Sequence, residues 1–533
     1  MTKFNEIECV SAARDHSAES VHKARDHTTL TCIKFVAGHM RILSLRSQRY
    51  KGASRLSGEI MDKAVSRKSA NGKRAPAAGY LTPEQRSAQG RAIRDSISRS
   101  SQAGWKSPEQ RRDPVELLEI SNEGRLPNLI PLRFGRMAAS PFAFYRGAAA
   151  VMAADLATTP TSGLRVQACG DAHLMNFGGF ATPERNVIFD INDLDETLPA
   201  PFEWDLKRLA GSVVIAAEHL ELPHSETARI VVDLVREYRE RMHDYAFMRV
   251  LDVWYDKIDL QKYQDRSGDP AVVEAARKRI EQRIEVERRK TVPDHLYPKL
   301  VSEEGAQPRI KDEPPLIFHP TEEMAPGLAK GYSEAIASYR ESLAEHVRVV
   351  FERFHFVDMA IKVVGVGSVG TMCGVGLFMA SDNDPLFLQV KEAKASVLEP
   401  YAGKSLHPNH GQRVIAGQRI MQSASDVFLG WTRGQNGRDF YVRQLRDMKI
   451  SVLIEALDPG MLRQYARMCA HALARAHARS GDAAMIAGYM GSGQTFDDAI
   501  TEFATDYSSQ NRQDYRDFVR AIREGRIQAT TQE

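Results

Sequence analysis

Apolar positions recur every three or four residues over much of the first half of the chain, which is the period of an amphipathic helix. The segment "DPVELLEISNEGRLPNLIPLRFGRM" begins this pattern near residue 110, and "SPFAFYRGAAAVMAADLA" continues it after the helix-starting pair Ser140 and Pro141. The segments "PFEWDLKRLAGSVVIAAEHL" and "SETARIVVDLVREYRERMHDYAF" have the same period. We therefore predict that folded structure begins near residue 110 and is mainly helical, with one helix after Ser140.

A shorter segment with a different pattern interrupts these helices. "GLRVQACGDAHLMNFGGFATPERNVIFDINDLDE" predicts a short strand, a polar loop and then a hairpin that turns at "TPERN". If the turn is centred between Glu184 and Arg185, antiparallel pairing places Asn176 opposite Asp193. The hairpin therefore brings the end of the polar loop close to an acidic segment.

The pattern changes near residue 355, where β-branched and aromatic residues begin to alternate with others. "FVDMAIKVVGVGSVGTMCGVGLFMASDNDPLFLQVKEAKAS" predicts strand, glycine turn, strand, turn and strand, and "SDVFLGWTRGQNGRDFYVRQLRD" predicts a further hairpin. The helical period then returns in "GMLRQYARMCAHALARAHARS" and in the C-terminal tail, so the fold class is α+β. We expect a basic, Ser/Arg-rich, partly disordered extension at 1–105, a helical lobe at 106–350 with a charged connector at 260–320, a β-rich lobe at 351–450, and helices at 451–533 that pack on the helical lobe.

Composition and charge narrow the class of protein. The 533 residues are 43% hydrophobic, which is enough for a substantial core, and 72 Lys and Arg against 69 Asp and Glu give a net charge of +3. This balance offers no argument for a nucleic-acid partner. Five scattered cysteines without C-x-x-C spacing predict neither disulfides nor a zinc site, and no apolar run is long enough to span a membrane. We expect a protein of the reducing cytoplasm without a membrane partner.

The polar loop "GDAHLMN" contains the first candidate chemistry. Its Asp171 and Asn176 have the spacing D-x-x-x-x-N, in which a carboxylate can lie beside an incoming hydroxyl while an amide oxygen reaches a metal ion on the phosphates of a nucleotide. The alternative interpretation is a turn in which Asp171 caps a neighbouring amide. The spacing favours phosphoryl transfer, a reaction catalysed mainly by positioning and by charge neutralisation.

The end of the hairpin, "FDINDLDE", supplies candidates for a second Mg²⁺ ligand. Asp193 is the first choice because the predicted pairing places it beside Asn176, and Asp190 is the second. For Asp195 and Glu196 we expect a solvated acidic loop end.

The glycine motif "GVGSVG" is the third candidate. Gly365, Gly367 and Gly370 match G-x-G-x-x-G around Ser368, yet the residues that follow predict a hairpin and not the helix that a dinucleotide-binding fold requires. A glycine-rich loop between two strands covers the ATP phosphates in kinases, with a lysine on the third strand. Lys391 in "LFLQVKEA" has that position.

Together these motifs resemble the protein-kinase-like fold, and in particular its aminoglycoside phosphotransferase branch, whose catalytic loop reads H-G-D-x-H-x-x-N. The segment "CGDAHLMN" keeps the Gly, Asp, His and Asn but has Cys169 in place of the first His. The resemblance implies ATP and Mg²⁺ as cofactors. It also implies Asp171 as catalytic base, Asn176 and Asp193 as Mg²⁺ ligands, His173 as a loop-shaping or phosphate-adjacent residue, and Asp205 of "WDLKRLA" as the residue that hydrogen-bonds the catalytic loop from beneath.

The parts occur in an unusual order. The catalytic half lies near residues 165–245 and the ATP-covering half near 360–450, which is the reverse of their order in kinases. The resemblance therefore implies a two-lobed kinase-like fold that is circularly permuted, with extra helices. More closely, "LRFGRMAASPFAFYRGAAA", "GDAHLMNFG", "FEWDLKRLAGS" and "YVRQLRDMK" resemble the bacterial family DUF2252 from about residue 90 to near the C-terminus.

Two features depart from the kinase pattern. Kinases pair their strand-three lysine with a glutamate on the next helix, but "HPNHGQRVIAGQRIMQSASD" contains no Glu, so Glu399 or Gln418 is the expected partner of Lys391. The segment "ARAHARSGD", with His477 and Asp482, occupies the place of an unpermuted catalytic loop. Because Asp482 has no asparagine five residues later, we expect a structural or lesser role for it.

Three functions follow from these residues. The first is a kinase-like phosphotransferase, or a nucleotidyltransferase on the same fold, acting on an unknown small molecule or protein hydroxyl. The second is a nucleotide-binding pseudokinase or scaffold, in which Lys391 is a solvated edge-strand charge. The third is a metallophosphoesterase, because "GDAH" matches the first box of that group, although its G-N-H-E box has only the weak counterpart "PNHGQ" at 408–412.

Overall fold

The structure is a computed structural model that describes residues 80–530, apart from 263–277, 279–280, 283, 287–291, 303–306, 322–327, 364, 435 and 446–447. It is a mixed α+β fold with several small sheets. The helices are α1 (Pro83–Ala92), α2 (Pro114–Ile120), α3 (Ile130–Ala138), α4 (Pro141–Gly147), α5 (Ala149–Leu156), α6 (Phe202–His219), α7 (His224–Phe247), α8 (Val250–Tyr255), α9 (Tyr297–Leu300), α10 (Leu328–Ser342), α11 (Glu345–Phe351), α12 (Glu399–Ala402), α13 (His410–Met421), α14 (Pro459–Ala478), α15 (Ala483–Met490) and α16 (Thr495–Arg523).

Short strands alternate with these helices, and single helical turns lie between them. The strands are β1 (Arg165–Ala168), β2 (Phe177–Ala181), β3 (Val187–Ile191), β4 (Leu198–Pro201), β5 (Ile258–Asp259), β6 (Val301–Ser302), β7 (Arg309–Ile310), β8 (Ile317–Phe318), β9 (His355–Lys362), β10 (Cys373–Met379), β11 (Pro385–Ala393), β12 (Gly430–Arg433) and β13 (Asp439–Gln444). The single turns are Ile93–Asp95, Arg99–Gln102, Pro127–Leu129, Leu174–Asn176, Val292–Leu296 and Ile454–Ala456.

Helix α1 lies inside the segment 1–105, for which the sequence predicts partial disorder. The Thr82 side chain accepts from the Gln85 backbone, and the Gln85 side chain accepts from the Thr82 backbone, which is a capping box. Small residues let α1 pack closely on α15, since a Cβ added at Gly90 would lie 2.0 Å from the Met485 carbonyl oxygen. Ordered structure therefore begins before the predicted boundary at residue 106, and residues 1–79 of that segment lie outside the described residues.

Helix α6 is the centre of the helical part, because every residue from Phe202 to Ala217 is buried. Helix α7 packs along α14, and α16 packs on α6, so the C-terminal helices lie against the earlier ones. Two of the buried polar side chains of α6, Asp205 and Arg208, belong to the site described below. Within the described part of the chain, no helix has both the length and the apolar composition needed to cross a bilayer.

The largest sheet contains the strands predicted after residue 355, in the order β12–β13–β11–β10–β9–β8. Tyr339, Leu343 and Phe351 of the α10–α11 region cover one face, where they contact Phe378 and Leu388. Smaller sheets join β1 with β4, β2 with β3 and β5, and β6 with β7. Within the predicted connector 260–320, the described residues form only short elements.

Two helices replace the single helix predicted after Ser140. Ser140 caps α4 by accepting a hydrogen bond from the Ala143 backbone, as expected of a serine at this position. Helix α4 ends at Gly147, and Ala148 adopts φ −106° and ψ 33° before α5 begins. Glycine has low helix propensity, and here it also permits close packing, because an added Cβ would lie 2.6 Å from Met137.

The β2–β3 hairpin turns at the predicted place but with a register shifted by one residue. Phe177 pairs with Ile191, and the Thr182 N–H donates to the Asn186 carbonyl, so the loop contains three residues. Its last residue, Arg185, has φ 67°, the left-handed conformation that closes three-residue hairpins. Asn176 therefore accepts from the Asn192 N–H (2.7 Å) and does not pair with Asp193 as predicted.

Candidate active site

A cavity of about 160 Å³ contains most of the residues proposed from the sequence motifs. It lies between the loop after β1, the acidic segment after β3 and the glycine loop between β9 and β10. A larger apolar cavity of about 220 Å³ lies between α10 and the sheet and contains none of those residues. The predicted site residues that line the smaller cavity are Asp171, His173, Asn176, Asp193, Gly365, Gly367 and Ser368.

The loop after β1 is held from beneath by α6. Asp205 accepts from the backbone N–H groups of Cys169 (2.6 Å) and Gly170 (2.9 Å), which is the contact expected for this aspartate. Gly170 has φ +82°, and an added Cβ would lie 2.5 Å from the Glu196 carbonyl oxygen, so only glycine fits here. His477 Nε2 lies 3.1 Å from Asp205 Oδ2, the oxygen that also accepts from the Cys169 N–H. The backbone before Asp171 is thus fixed by a buried carboxylate.

The Asp171 side chain is oriented by Arg208, which lies one turn after Asp205 on α6. Arg208 Nε donates to Asp171 Oδ1 at 2.6 Å, and a terminal guanidinium nitrogen contacts the same oxygen. Arg208 is itself buried and donates to the Tyr145 carbonyl (3.1 Å). Burial tends to lower the pKa of Arg208, but the Asp171 charge raises it above its usual value, so the guanidinium stays charged. One carboxylate oxygen of Asp171 is therefore occupied and the other is left for a ligand.

His173 lies beside that second oxygen. Its Nε2 is 3.6 Å from Asp171 Oδ2, which is too long for a hydrogen bond. The ring is 4% exposed, and its Nδ1 has no hydrogen-bond partner among the described residues. Burial lowers the pKa of His173 to about 4, so the ring is neutral at pH 7.

Asn176 closes the loop. Its side-chain nitrogen donates to the Asp171 carbonyl at 2.7 Å, so the amide oxygen is the side-chain atom that can bind a cation. Although the hairpin register separates Asn176 from Asp193 as a pair, both side chains line the same cavity.

Lys391 contacts the acidic segment directly. Its Nζ lies 3.3 Å from both oxygens of Asp193 and 3.1 Å from Asp195 Oδ2, and Tyr441 donates to the other Asp195 oxygen. Burial tends to raise the pKa of Asp193, but the Lys391 and Arg443 charges outweigh it and hold the pKa below its usual value. Lys391 is buried and does not line the cavity itself, because it lies behind these carboxylates.

Two expectations about Lys391 and the acidic segment are wrong. The partners of Lys391 are Asp193 and Asp195, whereas the expected Glu399 lies 3.8 Å from His410. Asp195 is not part of a solvated loop end, since its carboxylate is held by Lys391 and by the Tyr441 hydroxyl. The sequence could not show this pairing, because the two carboxylates are contributed by a segment almost two hundred positions before the lysine.

Asp190, the second choice as metal ligand, lies away from the cavity. Its side chain is completely buried and pairs with Arg475 of α14 at 2.5 Å. It also accepts from the Ser423 N–H (2.8 Å) and hydroxyl (2.9 Å). Its position on β3 turns this carboxylate toward α14, so the geometry gives it a structural role.

The glycine loop rests against the helical part of the chain. Arg136 donates to the Gly365 carbonyl and Arg125 to the Val369 carbonyl, both at 2.6 Å. The Leu126 N–H donates to the Gly370 carbonyl at 2.7 Å. Gly370 therefore anchors the loop, whereas Gly365, Gly367 and Ser368 line the cavity.

The residues named as lesser candidates have structural contacts. His477 is fully buried between Asp205 and the Tyr238 hydroxyl (2.8 Å). Asp482 accepts from the Met485 N–H at the start of α15 and pairs with Arg86 at 3.1 Å. Asn409 of the "PNHGQ" segment caps α13.

The oxygen donors at the cavity fit Mg²⁺ better than a softer metal. Within the described ranges, no group of three or more His, Cys, Asp or Glu side chains is placed to hold a metal ion. Mg²⁺ at a nucleotide site needs only one or two protein oxygens, because phosphates and water supply the others. The Asn176 amide oxygen and the Asp193 carboxylate are such a set.

Several residues at the site were not found from the sequence. Arg208 has a usable signal, since it follows Asp205 by three positions and so lies on the same helix face. Glu196 lines the cavity, and burial raises its pKa to about 7. Four basic residues also line it: Arg125, Arg133, Arg146 and Lys394. Arg133 and Arg146 belong to the family-like segment "LRFGRMAASPFAFYRGAAA", but that resemblance implies no role for them at the site.

Comparison with known proteins gives a family and no activity. A family model described as "Uncharacterized protein conserved in bacteria (DUF2252)" matches residues 125–521. No curated protein matches the chain, and no solved structure matches it. The matched span contains all of the site residues named above.

Proposed function

The chain belongs to the DUF2252 family, whose description names no reaction, and from the site we propose that it is a Mg²⁺- and ATP-dependent phosphotransferase with a circularly permuted kinase-like fold. One observation carries this proposal: the D-x-x-x-x-N loop, Asp193 and the glycine loop line one cavity. The glycine loop follows the other two by more than 170 positions in the sequence, so only tertiary structure brings it to them. Their convergence is what a phosphotransfer site requires.

Contacts at the end of α14 support the permutation. The Gln167 N–H of β1 donates to the Ser480 hydroxyl at 3.0 Å, and a Cβ added at Gly481 would lie 2.7 Å from Val166. The helix that follows the β-rich part thus ends directly against the strand that leads to Asp171. In an unpermuted kinase those two segments would be consecutive, so their contact is the one that a circular permutation requires.

In the proposed reaction, Asp171 accepts the proton of an acceptor hydroxyl. The hydroxyl oxygen forms a bond to the γ-phosphorus of ATP, the bond from that phosphorus to the β–γ bridging oxygen breaks, and ADP leaves. Asn176 and Asp193 would hold Mg²⁺, which neutralises charge on the phosphate oxygens when bound. Asp205 and Arg208 are positioning residues that fix the Asp171 backbone and carboxylate.

A second candidate function is nucleotide binding without transfer. It is favoured by the existing ion pairs, since Arg208 occupies one oxygen of Asp171 and Lys391 occupies Asp193. In a phosphotransferase, Lys391 must leave Asp193 and Asp195 or contact the nucleotide phosphates as well as these carboxylates. The two functions differ in turnover and not in affinity for nucleotide.

The test is ATP turnover by the purified full chain, followed as ADP release with and without Mg²⁺. Asp171→Asn should lower turnover by about 10²–10⁴-fold, the usual contribution of a general base, while binding of the non-hydrolysable analogue AMP-PNP is retained. Asp382→Asn, in the exposed turn between β10 and β11, is the matched control. Binding without turnover in the unaltered protein would favour the second function, and absence of Mg²⁺-dependent binding would reject both.

A further inference from the structure

Four basic side chains line the candidate cavity in addition to the motif residues: Arg125, Arg133, Arg146 and Lys394. Within the described part of the chain, none of them forms an ion pair. Arg125 donates to the Ser121 and Val369 carbonyls, and Lys394 donates to the Glu123 carbonyl. Their hydrogen bonds thus go to neutral groups, and no carboxylate of the described residues lies within ion-pair distance of them.

Arg133 and Arg146 are the most unusual of the four. Arg133 is only 2% exposed and donates to the Gly147 carbonyl (3.1 Å) and to the Asn122 side chain (2.5 Å), but its Nε has no partner among the described residues. Arg146 Nε is also buried without a partner there. Burial lowers the pKa of both guanidinium groups. An uncompensated buried charge is costly, which indicates that a counter-charge belongs in this cavity.

Most carboxylates of the same cavity form ion pairs with basic side chains. Asp171 pairs with Arg208, both Asp193 and Asp195 pair with Lys391, and Glu392 pairs with Arg438 at 2.9 Å. Glu196 forms no ion pair with another described residue, but burial raises its pKa to about 7, so it is partly protonated near pH 7. The unpaired charge of the cavity is therefore positive, and the complementary ligand group is an anion.

The position of Arg146 distinguishes this charge from the nucleotide anchor. Lys391 forms ion pairs with Asp193 and Asp195. In contrast, the Asp171 charge tends to raise the pKa of Arg146 against the effect of burial, and the Arg146 charge adds to the lowering of the His173 pKa by burial. Arg146 lies on α4 next to Tyr145, whose carbonyl accepts a hydrogen bond from Arg208, the partner of Asp171. Arg146 and Asp171 therefore line the same cavity within electrostatic reach of each other, and the acceptor hydroxyl has to approach Asp171.

We propose that the acceptor carries a phosphate or carboxylate group, which Arg146 binds together with Arg125, Arg133 and Lys394; this inference rests on the proposed function. Guanidinium groups bind both anions through paired N–H donors, so the chemistry is shared. The same cations could instead contact the phosphates of ATP. The experiment therefore has to separate an acceptor anion from the nucleotide.

The probe is inorganic phosphate, titrated calorimetrically into the full chain with and without saturating Mg²⁺ and AMP-PNP. We expect phosphate to bind the analogue complex and Arg146→Gln to weaken it by at least about tenfold, as loss of a hydrogen bond to a charged group does. Arg146→Lys keeps the charge and should retain part of the affinity. Arg353→Gln, an exposed arginine outside the cavity, should change nothing.

Each other outcome overturns the inference in a recognisable way. Displacement of phosphate by AMP-PNP would show that the four basic side chains bind the phosphates of the nucleotide and not the acceptor. Equal phosphate affinity in the unaltered protein and Arg146→Gln, or no phosphate binding, would reject the anion subsite while leaving Mg²⁺-dependent AMP-PNP binding intact. Failure of AMP-PNP to bind would reject the proposed function, and the acceptor assignment with it, even if phosphate binds.

Discussion

The Lys391 ammonium lies 3.3 Å from both carboxylate oxygens of Asp193, although 198 positions separate the two residues. Lys391 belongs to a central strand of the six-stranded sheet, and Asp193 follows the β2–β3 hairpin. This ion pair therefore joins the acidic segment after the hairpin to the β-rich part of the chain, the two segments whose order the proposed permutation reverses. It also places the lysine next to a candidate Mg²⁺ ligand, where nucleotide phosphates would compete for it.

Removal of Lys391 should weaken both the fold and nucleotide binding. Lys391→Met leaves Asp193 and Asp195 as neighbouring carboxylates without their cation, so we expect a lower melting temperature and weaker AMP-PNP binding. Unfolding free energies of the two single variants and of the double variant with Asp193→Asn give a double-mutant cycle. Its coupling energy should be about 0.5–3 kcal/mol, as for residues in one salt-bridge network. Lys404→Met, at an exposed position, is the control. Additive effects of the two changes would contradict the pairing.

Asp190 should prove structural. Asp190→Asn leaves the buried Arg475 guanidinium unpaired, and breaking a buried pair in this way costs about 3–5 kcal/mol. We expect chemical denaturation to show this loss, while AMP-PNP affinity under native conditions is unchanged. Asp193→Asn should instead abolish the Mg²⁺-dependent affinity for AMP-PNP. If the Asp190→Asn protein is stable but its AMP-PNP affinity no longer depends on Mg²⁺, Asp190 is a metal ligand after all.

His173 should make stability depend on pH. Its pKa is about 4 in the folded protein against about 6.5 when unfolded. The unfolded state therefore binds the proton first, so this stability is fully present above pH 6.5 and is lost as the pH falls toward 4. At about 1.4 kcal/mol per pKa unit the loss is about 3 kcal/mol.

Unfolding free energies at pH 7, 5.5 and 4.5 test this expectation. The unaltered protein should lose more stability over this range than His173→Gln, which cannot be protonated. The difference between the two proteins at each pH isolates the histidine from other titrating groups. Parallel pH profiles would show that His173 titrates normally.

The sequence was most informative where local pattern decides the structure. Alternation after residue 355 correctly predicts β9, the glycine loop, β10 and β11, and the period-2 segments around Asp171 correctly predict β1 and the hairpin. The spacing of Asp171 and Asn176 marks the loop that lines the cavity. These features depend on neighbours within a few residues.

Features set by tertiary contacts were missed. The hairpin register shifted by one because Arg185 adopts a left-handed conformation, which its sequence neighbours do not require. The partner of Lys391 was sought on the next helix, yet Asp193 and Asp195 reach it from another part of the chain. The side chains of Arg125, Arg133 and Arg146 line the cavity because α3 and α4 pack beside the glycine loop. No local spacing in the sequence reveals that packing.

The central claim is tested most directly by a crystal structure of the full chain with Mg²⁺ and AMP-PNP. We expect the triphosphate in the cavity beneath Gly365, Gly367 and Ser368, with the cation bound by the Asn176 amide oxygen and the Asp193 carboxylate. Asp171 should face the γ-phosphate. An analogue bound elsewhere, or in this cavity with its phosphates away from Asn176 and Asp193, would contradict the assignment of these residues to phosphoryl transfer.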